Sequence, residues 1–335
     1  MKKKINFDVN ATERPTRHVL AVLRKIYRYG YSNPSAAYFD AQRTLNSIER
    51  AREQTALALG CDKDEIFFTS GASEANSLIQ ANIILDVDER SHHSLQRMED
   101  LKNYAKVKAL PLIVSETGEL LIDEILNNPK QQYFVDLTQA IGKVKINLHS
   151  MPNIIYASGG GHKFGGILGC GIIYIKKEHQ SKINPLIYGS QEKGLRGGTY
   201  NVPAIICFGE AIEQANKNIN KYNKKINKII LEILNKITLF DNIKFRTNNN
   251  VINITFNNLL ATTVVQLFDK YGINISAGSA CSSGNEEASK AYIGSGYTEE
   301  EALRTIRISI GYFNTKREAH KFVKVLKKII DIYEK

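Results

Sequence analysis

Two periods of apolar residues alternate along the chain as far as residue 175, one typical of helices and one typical of buried strands. Residues 36–59 carry an apolar stripe at helical spacing with charges opposite, and 74–81 and 91–104 also have helical patterns. Short apolar or alternating runs predict strands at 65–69, 83–87, 107–113, 132–136, 154–158 and 170–175. Strands that alternate with helices predict an α/β domain in which helices flank a mainly parallel sheet.

The rest of the chain has fewer strands and longer helical patterns. One helical pattern covers 204–236, and a strand at 251–256, a helix at 262–271 and a strand at 273–276 follow it. From Ser309 onward we expect a lysine-rich amphipathic helix. We therefore predict a large α/β domain at 14–236 and a smaller α+β domain made of 1–13 and 237–335.

Composition is that of an ordinary globular protein, with 335 residues of which 43% are hydrophobic and 24% charged. No apolar run approaches about 18 residues, so we expect neither a transmembrane helix nor a membrane partner. The start, MKKKINFDVN, turns polar before an apolar segment develops, which argues against a secretory signal peptide.

Cysteine spacing and charge argue against further classes of protein, namely disulfide-rich, zinc-binding and nucleic-acid-binding proteins. Cys61, Cys170, Cys207 and Cys281 lie far apart without a C-x-x-C pair, which argues against a disulfide framework or a structural zinc site and favours a cytoplasmic location. The net charge is +11. The lysines are spread out and are densest on helical patterns, where charges usually form a solvated face. We therefore do not expect direct nucleic-acid binding.

Two predicted strands end in residues suited to a ligand. Gly71-Ala72-Ser73 lies between a strand and a helix, where free backbone N–H groups bind phosphate, although such turns are also common without a ligand. Asp136 ends an apolar strand, so its carboxylate would point into the crevice where α/β sheets bind ligands. There it could keep a pyridinium nitrogen protonated, or it could simply cap the next helix.

Two further segments place a nucleophile among small residues. Three glycines precede His162 and Lys163, and a lysine in such a tight turn can form a Schiff base, or can be a solvated surface residue. Cys281 lies in the loop SAGSACSSG, where a mobile nucleophile could be placed. The other three cysteines lie in or beside apolar segments and are expected to be packing residues.

Taken in order, these segments resemble the cysteine desulfurases, which belong to the class V aminotransferase group of fold-type I pyridoxal-phosphate enzymes. The resemblance spans nearly the whole chain. It rests on SNPS (32–35), FFTSGASEAN (67–76), His93, DLTQAIGK (136–143), GHKFGGILGCGIIY (161–174), QEKGLRGGTYNV (191–202), SAGSACSSG (276–284) and TIRISIGYFNT (305–315).

The resemblance implies a site for pyridoxal 5'-phosphate. Lys163 would hold the cofactor covalently, His93 would stack on its ring, Asp136 would pair with the ring nitrogen and Gln139 would contact the phenolic oxygen. Its phosphate would be held by Ala72, Ser73 and His162. Thr199 would reach the phosphate of a neighbouring subunit, which implies a homodimer.

The resemblance also implies the reaction. Arg307 would bind the carboxylate of the substrate, L-cysteine, as suits a bidentate guanidinium. Cys281 would take the sulfur as a persulfide while alanine is released. A sulfur-acceptor protein, either an iron–sulfur scaffold or a tRNA-thiolation enzyme, would then receive the sulfur.

The sequence departs from the family in four places. A strand and helix of about 30–40 residues is absent before Asp136, a size within that of a βαβ repeat. Asn127-Asn128-Pro129 stands in its place. The segment before His93 is short and has His92 in place of a glutamate, Gly160 replaces a phosphate-binding serine, and Ile167-Leu168 replaces Pro-Lys. We expect the missing strand to disturb the sheet near the cofactor ring.

Two other functions therefore stay open. The same scaffold could serve a selenocysteine lyase or another carbon–sulfur lyase, which would need no persulfide on Cys281. Alternatively, a degenerate scaffold could bind the cofactor weakly and act as a non-catalytic partner protein.

Overall fold

The computed structural model describes residues 4–95, 103–278 and 287–334. Its strands are β1 (Ile5–Asn6), β2 (Ile66–Thr69), β3 (Leu85–Val87), β4 (Val107–Pro111), β5 (Gln132–Asp136), β6 (Ile154–Gly160), β7 (Gly171–Ile175), β8 (Ile243–Asn248), β9 (Val251–Phe256), β10 (Ile273–Asn274) and β11 (Thr305–Ser309). Its helices are α1 (Arg17–Tyr29), α2 (Phe39–Leu59), α3 (Ala72–Gln80), α4 (Ile122–Leu126), α5 (Val202–Ile237), α6 (Ala261–Lys270), α7 (Lys290–Gly294), α8 (Glu299–Leu303) and α9 (Lys316–Tyr333).

The chain forms two compact units. The larger contains Glu13–Ile113 and Leu121–Ile219, and the smaller contains Met1–Thr12, Val114–Leu120 and Asn220–Lys335. This division differs from the predicted domains in two segments, because 114–120 and the second half of α5 pack with the smaller unit.

The larger unit is built on a six-stranded sheet in the order β2-β7-β6-β5-β4-β3. Strands β3 to β6 are parallel, and β7 is antiparallel to both of its neighbours, β6 and β2. Strands β2, β4, β5 and β6 therefore all end at the same edge of the sheet. Ligands of α/β sheets bind at this carboxyl edge.

The central strands are apolar because both of their faces are buried. Every residue of β2, β6 and β7 is buried, as expected when helices cover both faces of a sheet. The predicted α/β class with a mainly parallel, helix-flanked sheet is confirmed. The strand predicted at 132–136 has the bounds of β5, and the helix predicted at 36–59 begins three residues later, at Phe39.

The sheet is continuous at the position where the sequence departs from its family. Only residues 127–131 connect α4 to β5, so no strand or helix intervenes there. Strand β4 pairs directly with β5 over five residues, from Val107 opposite Gln132 to Pro111 opposite Asp136. Strand β4 thus forms the parallel ladder with β5 where the extra strand of the family is missing, while the pairing of β5 with β6 shifts register between Tyr133 and Phe134.

The smaller unit contains an antiparallel sheet, β11-β9-β8, and a parallel pair, β1-β10. Its isoleucine-rich core includes residues of all five strands and of α5, α6 and α9, for example Ile254, Ile308, Phe268 and Phe322. The strand predicted at 251–256 has the bounds of β9.

Two helix predictions need correction. The last helix begins at Lys316 rather than near Ser309, since 305–309 form β11 and a Thr315–Glu318 capping box starts the helix. Of the helix predicted at 91–104, residues 91–95 form turns and 103–104 a short 3₁₀ turn, while 96–102 lie outside the described residues.

No helix in the described ranges combines the length and the apolar character needed to span a bilayer.

Candidate active site at the carboxyl edge of the large sheet

The turn between β2 and α3 presents the start of a helix at the carboxyl edge. Gly71 precedes α3, and Ala72 and Ser73 form its first turn. A Cβ on Gly171 of β7 would lie 2.5 Å from the Gly71 backbone, so only glycine allows this approach of strand and turn. The first N–H groups of α3 have no partner within the helix and favour an anion.

Gly160 and Thr138 lie beside this turn. A Cβ built on Gly160 would be 3.8 Å from the amide nitrogen of Ala72 and 3.5 Å from Cγ2 of Thr138, which are ordinary contacts. The hydroxyl of Thr138 is buried and has no hydrogen-bond partner among the described residues. A buried hydroxyl without a partner is costly. A phosphate at the start of α3 would provide the acceptor, so these residues fit the phosphate of pyridoxal 5'-phosphate.

Asp136 lies at the end of β5, opposite Ser158 of β6. Its side chain is nearly buried, with 7% of its surface exposed, and its Oδ1 accepts a hydrogen bond from the Thr138 amide at 2.8 Å. Ser158 is fully buried, and its hydroxyl has no partner among the described residues. The Asp136 carboxylate therefore caps the following turn and also lies at the ligand-binding edge of the sheet, the two roles that the sequence left open.

His162 and Lys163 form a 3₁₀ turn directly after β6, and both are half-buried. Burial lowers the pKa of His162 to about 4, and the neighbouring charges of Lys163 and His92 act in the same direction. The imidazole is therefore neutral at pH 7 and can donate one hydrogen bond, for example to a phosphate. The His162 carbonyl accepts a hydrogen bond from the Glu13 amide at 2.9 Å.

His92, the neighbour of His93, has Asp136 and Lys163 as charge neighbours. Burial lowers the pKa of His92 to about 4, with Asp136 raising it and His93 and Lys163 lowering it further. Its Nδ1 lies 2.8 Å from the Ser94 hydroxyl, which accepts a hydrogen bond from the Asn76 amide at 2.7 Å. The rings of His92 and His93 are 3.9 Å apart. Ser94 and Asn76 therefore orient the ring of His92, whose charge neighbours are Asp136 and Lys163.

Gln139 is buried one helical turn after Asp136, and its Oε1 accepts a hydrogen bond from Lys143 Nζ at 2.6 Å. Lys143 also interacts electrostatically with Glu13. Burial raises the pKa of Glu13 to about 7, although the Arg14 amide and the charges of Lys143 and Arg14 oppose the rise.

Thr199 lines a cleft of about 140 Å³ between residues 68–70 and 191–201. Glu192 fixes the 191–201 side of the cleft, because its carboxylate accepts two 2.8 Å hydrogen bonds from Arg52 and one of 2.7 Å from the Phe68 amide. Arg196 pairs with Glu74 of α3 at 2.9 Å. The segment that carries Thr199 is thus tied to the strand and the helix that flank the phosphate turn.

In the smaller unit, Arg307 of β11 is buried, with 1% of its surface exposed. Its backbone pairs with Ser276 through hydrogen bonds of 2.7 and 3.1 Å. Cys281 lies five residues after Ser276 and is outside the described residues.

The other three cysteines are poor nucleophiles. Cys170 and Cys207 are buried and Cys61 is half-buried. Burial raises the pKa of all three thiols, to about 11 for Cys207. They stay protonated at pH 7, and the thiol form is unreactive.

Sequence patterns did not single out Thr138, Ser158, Asn76 or Ser94. Thr138 and Ser158 lie within two residues of Asp136 and Gly160, so their positions after the same strands would have been a usable signal. Asn76 and Ser94 contact each other across 18 residues of sequence, which no local pattern reveals. His92 was noted only as a departure from the family.

A profile of the family Aminotransferase class-V matches residues 5–128 and 84–322. A cysteine desulfurase IscS of Clostridium botulinum is 31% identical over 385 aligned residues, which cover 98% of this chain and 95% of the relative. A similar protein of the same name from Methanosarcina thermophila is 28% identical and covers 98% of this chain and 92% of its own length. The solved structure of a NifS-like protein from Rickettsia africae matches with a TM-score of 0.85 and 27% identity, covering 98% of this chain and all of that one.

The alignment with the Clostridium protein is longer than the 335 residues of this chain, so the relative contains segments that this chain lacks. This agrees with the direct connection from α4 to β5.

Proposed function

This chain belongs to the aminotransferase class-V family, and we propose that it is a cysteine desulfurase that converts L-cysteine to L-alanine and passes the sulfur on. Enzymes of this family and its IscS and NifS members depend on pyridoxal phosphate. The near full-length similarity to desulfurases named IscS supports the assignment.

The observation that carries the proposal is the convergence of the phosphate turn, Asp136 and Lys163 at one edge of the sheet. Ala72 and Thr138 lie around Gly160, and Asp136 is paired in register with Ser158, two residues before Gly160. Lys163 follows three residues after Gly160. The turn at Ala72 could thus bind the phosphate of the cofactor, Asp136 its ring nitrogen and Lys163 its aldehyde, all at neighbouring strand ends.

When bound, pyridoxal phosphate withdraws electrons from the Cα of an amino acid. Asp136 would keep the ring nitrogen protonated, and the Lys163 ε-amine would move the proton at the substrate Cα. We assign the ring-stacking role to His92 rather than His93, because His92 has Asp136 and Lys163 as charge neighbours and Ser94 as a hydrogen-bond partner. A neutral His92, oriented by Ser94, can lie against a ring without adding charge.

The sulfur step would use Cys281. Its thiolate attacks the sulfur of the substrate cysteine, an S–S bond forms, and the C–S electron pair stays on carbon, which becomes the methyl group of alanine after protonation. Arg307 would bind the substrate carboxylate. The persulfide would then pass to an acceptor protein, either an iron–sulfur scaffold or a tRNA-thiolation enzyme.

We further propose that the protein works in the cytoplasm as a homodimer, with Thr199 reaching the phosphate of the partner subunit. Direct nucleic-acid binding is not part of the proposal, since the lysines of α5 and α9 lie on solvated helical faces.

The test is product analysis with L-cysteine. Wild-type protein loaded with pyridoxal phosphate should form alanine and a protein persulfide in stoichiometric amounts, and Cys281→Ala should lose the persulfide and most of the alanine. Cys61→Ala, which removes a half-buried thiol, is the control and should retain both products. A Cys281→Ala variant that still forms alanine and sulfide would favour a lyase. A wild-type protein that takes up no cofactor would favour the non-catalytic partner.

A further inference from the structure

Arg307 is held by groups of the smaller unit that the predicted mechanism does not use. Its Nη2 donates to Oδ1 of Asp8 at 2.7 Å, and its Nη1 lies 3.2 Å from the Ser115 carbonyl and 3.3 Å from the Ser115 hydroxyl. The side chains of Arg307 and Asp8 are 2% and 19% exposed. Burial makes this pair different from a surface ion pair, because solvent does not replace a lost partner.

The guanidinium has an open donor. Its Nε is buried and has no hydrogen-bond partner among the described residues. A buried charged donor without an acceptor is costly and needs an explanation. Since Asp8 and Ser115 hold the two terminal nitrogens, the guanidinium has a fixed orientation in which Nε is available to an additional acceptor.

Asp8 can fix this orientation because its own backbone is anchored. Its amide donates to Oδ1 of Asn6 at 3.0 Å, and it forms a parallel bridge with Ser309, two residues from Arg307 on β11. On either side, Ser309 donates from its amide to the Phe7 carbonyl at 2.7 Å, and the Asn10 amide donates to the Ser309 hydroxyl at 3.0 Å. The Asp8 carboxylate thus stands at a defined position relative to the strand that carries Arg307.

We infer that Asp8 is a positioning residue, which holds one terminal nitrogen of Arg307 so that the remaining N–H groups can donate to the carboxylate of an amino-acid ligand. The inference rests on the proposed function, in which that ligand is cysteine or its product alanine. Two effects of Asp8 oppose each other: its hydrogen bond orients the guanidinium, and its charge repels a second carboxylate. Orientation outweighs repulsion here, because arginine binds a carboxylate strongly only in the correct geometry.

The test separates carboxylate binding from general folding. Calorimetric titration of the cofactor-loaded protein would compare L-alanine with L-alaninamide, which lacks the carboxylate. In Asp8→Ala the Kd for L-alanine should rise about tenfold, while the Kd for L-alaninamide changes less than about twofold. Asp8→Asn, which keeps an oxygen acceptor, should restore most of the affinity for L-alanine. Should Asp8→Ala not fold, Asp8→Glu keeps the charge but displaces the carboxylate by one methylene, and it should also weaken L-alanine selectively.

Asp269→Asn is the matched control, because it removes the carboxylate of the exposed Lys4–Asp269 pair in the same unit. It should leave both affinities unchanged. An Asp8→Ala or Asp8→Glu variant that binds L-alanine as tightly as wild type, or more tightly, would overturn the inference, and so would equal weakening of both ligands. A loaded wild-type protein that binds neither amine would contradict the proposed function itself, and the inference with it.

Discussion

Gly160 lies just before the turn that carries Lys163 and next to Ala72, the first residue of α3. Its φ of −117° is open to any residue, and a Cβ there would meet only ordinary contacts. Glycine is therefore not required by the backbone at this position. Because Gly160 has no side chain, it offers no hydroxyl to a phosphate bound beside Thr138 and the Ala72 amide.

A serine at position 160 should strengthen cofactor binding. Its hydroxyl would add one hydrogen bond to a charged group, which lowers the Kd for pyridoxal phosphate roughly tenfold. Titration of the cofactor-free protein with pyridoxal phosphate measures this, and Gly160→Ala is the control because it adds the same Cβ without a hydroxyl. An equal gain in Gly160→Ala, or weaker binding in Gly160→Ser, would contradict the site.

The two adjacent histidines provide a second residue-scale test. Replacing His92 by alanine should reduce the rate of alanine formation roughly fivefold, because a ring contact between aromatic groups contributes about 1 kcal/mol. His93→Ala should cost less, because His92 has Asp136 and Lys163 as charge neighbours. Steady-state rates with L-cysteine decide between them, and a greater loss in His93→Ala would restore the assignment predicted from the sequence.

At this scale the sequence predicted which strand ends carry site residues. Asp136 and Lys163 could be placed because each follows a recognisable apolar strand. His92 and His93 could not be distinguished, because a turn rather than a regular element carries them and adjacent residues of a turn point in different directions.

Among the elements, the segment that leads into α1 lies along the turn that carries Lys163. Two backbone hydrogen bonds join them, from the Glu13 amide to the His162 carbonyl and from the Thr16 amide to the Gly165 carbonyl, at 2.9 and 3.1 Å. The contact buries the carboxyl group of Glu13, which has 9% of its surface exposed. An ionisable group enclosed between two segments makes their contact sensitive to pH.

Glu13→Gln should remove a pH-dependent loss of stability. The pKa of Glu13 is raised from 4.5 to about 7, so between these values the folded chain binds more protons than the unfolded chain and its stability falls as pH rises. The glutamine variant should match wild type near pH 4.5 and be more stable above pH 7 by about 2 to 3 kcal/mol. Urea unfolding at pH 4.5, 6 and 8 measures the difference. Glu53→Gln, an exposed change on α2, should show none. A difference that does not vary with pH would contradict the burial of Glu13.

Elements were predictable where burial imposes a clean pattern. Strands β5 and β9 were placed with their observed bounds because their apolar runs end at polar residues. Helix α1 was not predicted, although Val19, Val22, Leu23 and Ile26 recur in it at helical spacing, and of these Val19 alone is buried. Strand β11 was not predicted, because it buries polar Arg307 among isoleucines, which local hydropathy does not reveal.

At the scale of the whole molecule, exposed apolar side chains mark a surface beside Thr199. Tyr188 is 83% exposed, and residues 187–189 lie against Gly197, whose amide donates to the Ile187 carbonyl at 2.7 Å. Leu168, Leu186 and Ile187 are exposed as well. Large exposed apolar residues that lie close together are typical of protein interfaces. This surface is suited to the proposed homodimer. From the sequence, the homodimer was predicted only by the resemblance at Thr199.

Tyr188→Glu should therefore weaken dimerisation. Light scattering should show wild type at twice the chain mass of 37.6 kDa and the variant shifted toward one chain, since a buried unpaired carboxylate opposes association. Tyr104→Glu changes a tyrosine of similar exposure, 73%, and should leave the dimer intact. A wild-type protein that is monomeric at micromolar concentration would contradict the homodimer and the role of Thr199.

The central claim is that Lys163 holds pyridoxal phosphate for the desulfuration of cysteine. The most direct measurement is the visible absorption spectrum of the loaded protein before and after addition of L-cysteine, for wild type, for Lys163→Ala and for the control Lys145→Ala. Wild type and Lys145→Ala should show the absorption of covalently held cofactor and should form alanine, whereas Lys163→Ala should show neither. A wild-type protein that stays colourless, or a Lys163→Ala variant that keeps both the band and the product, would contradict the account.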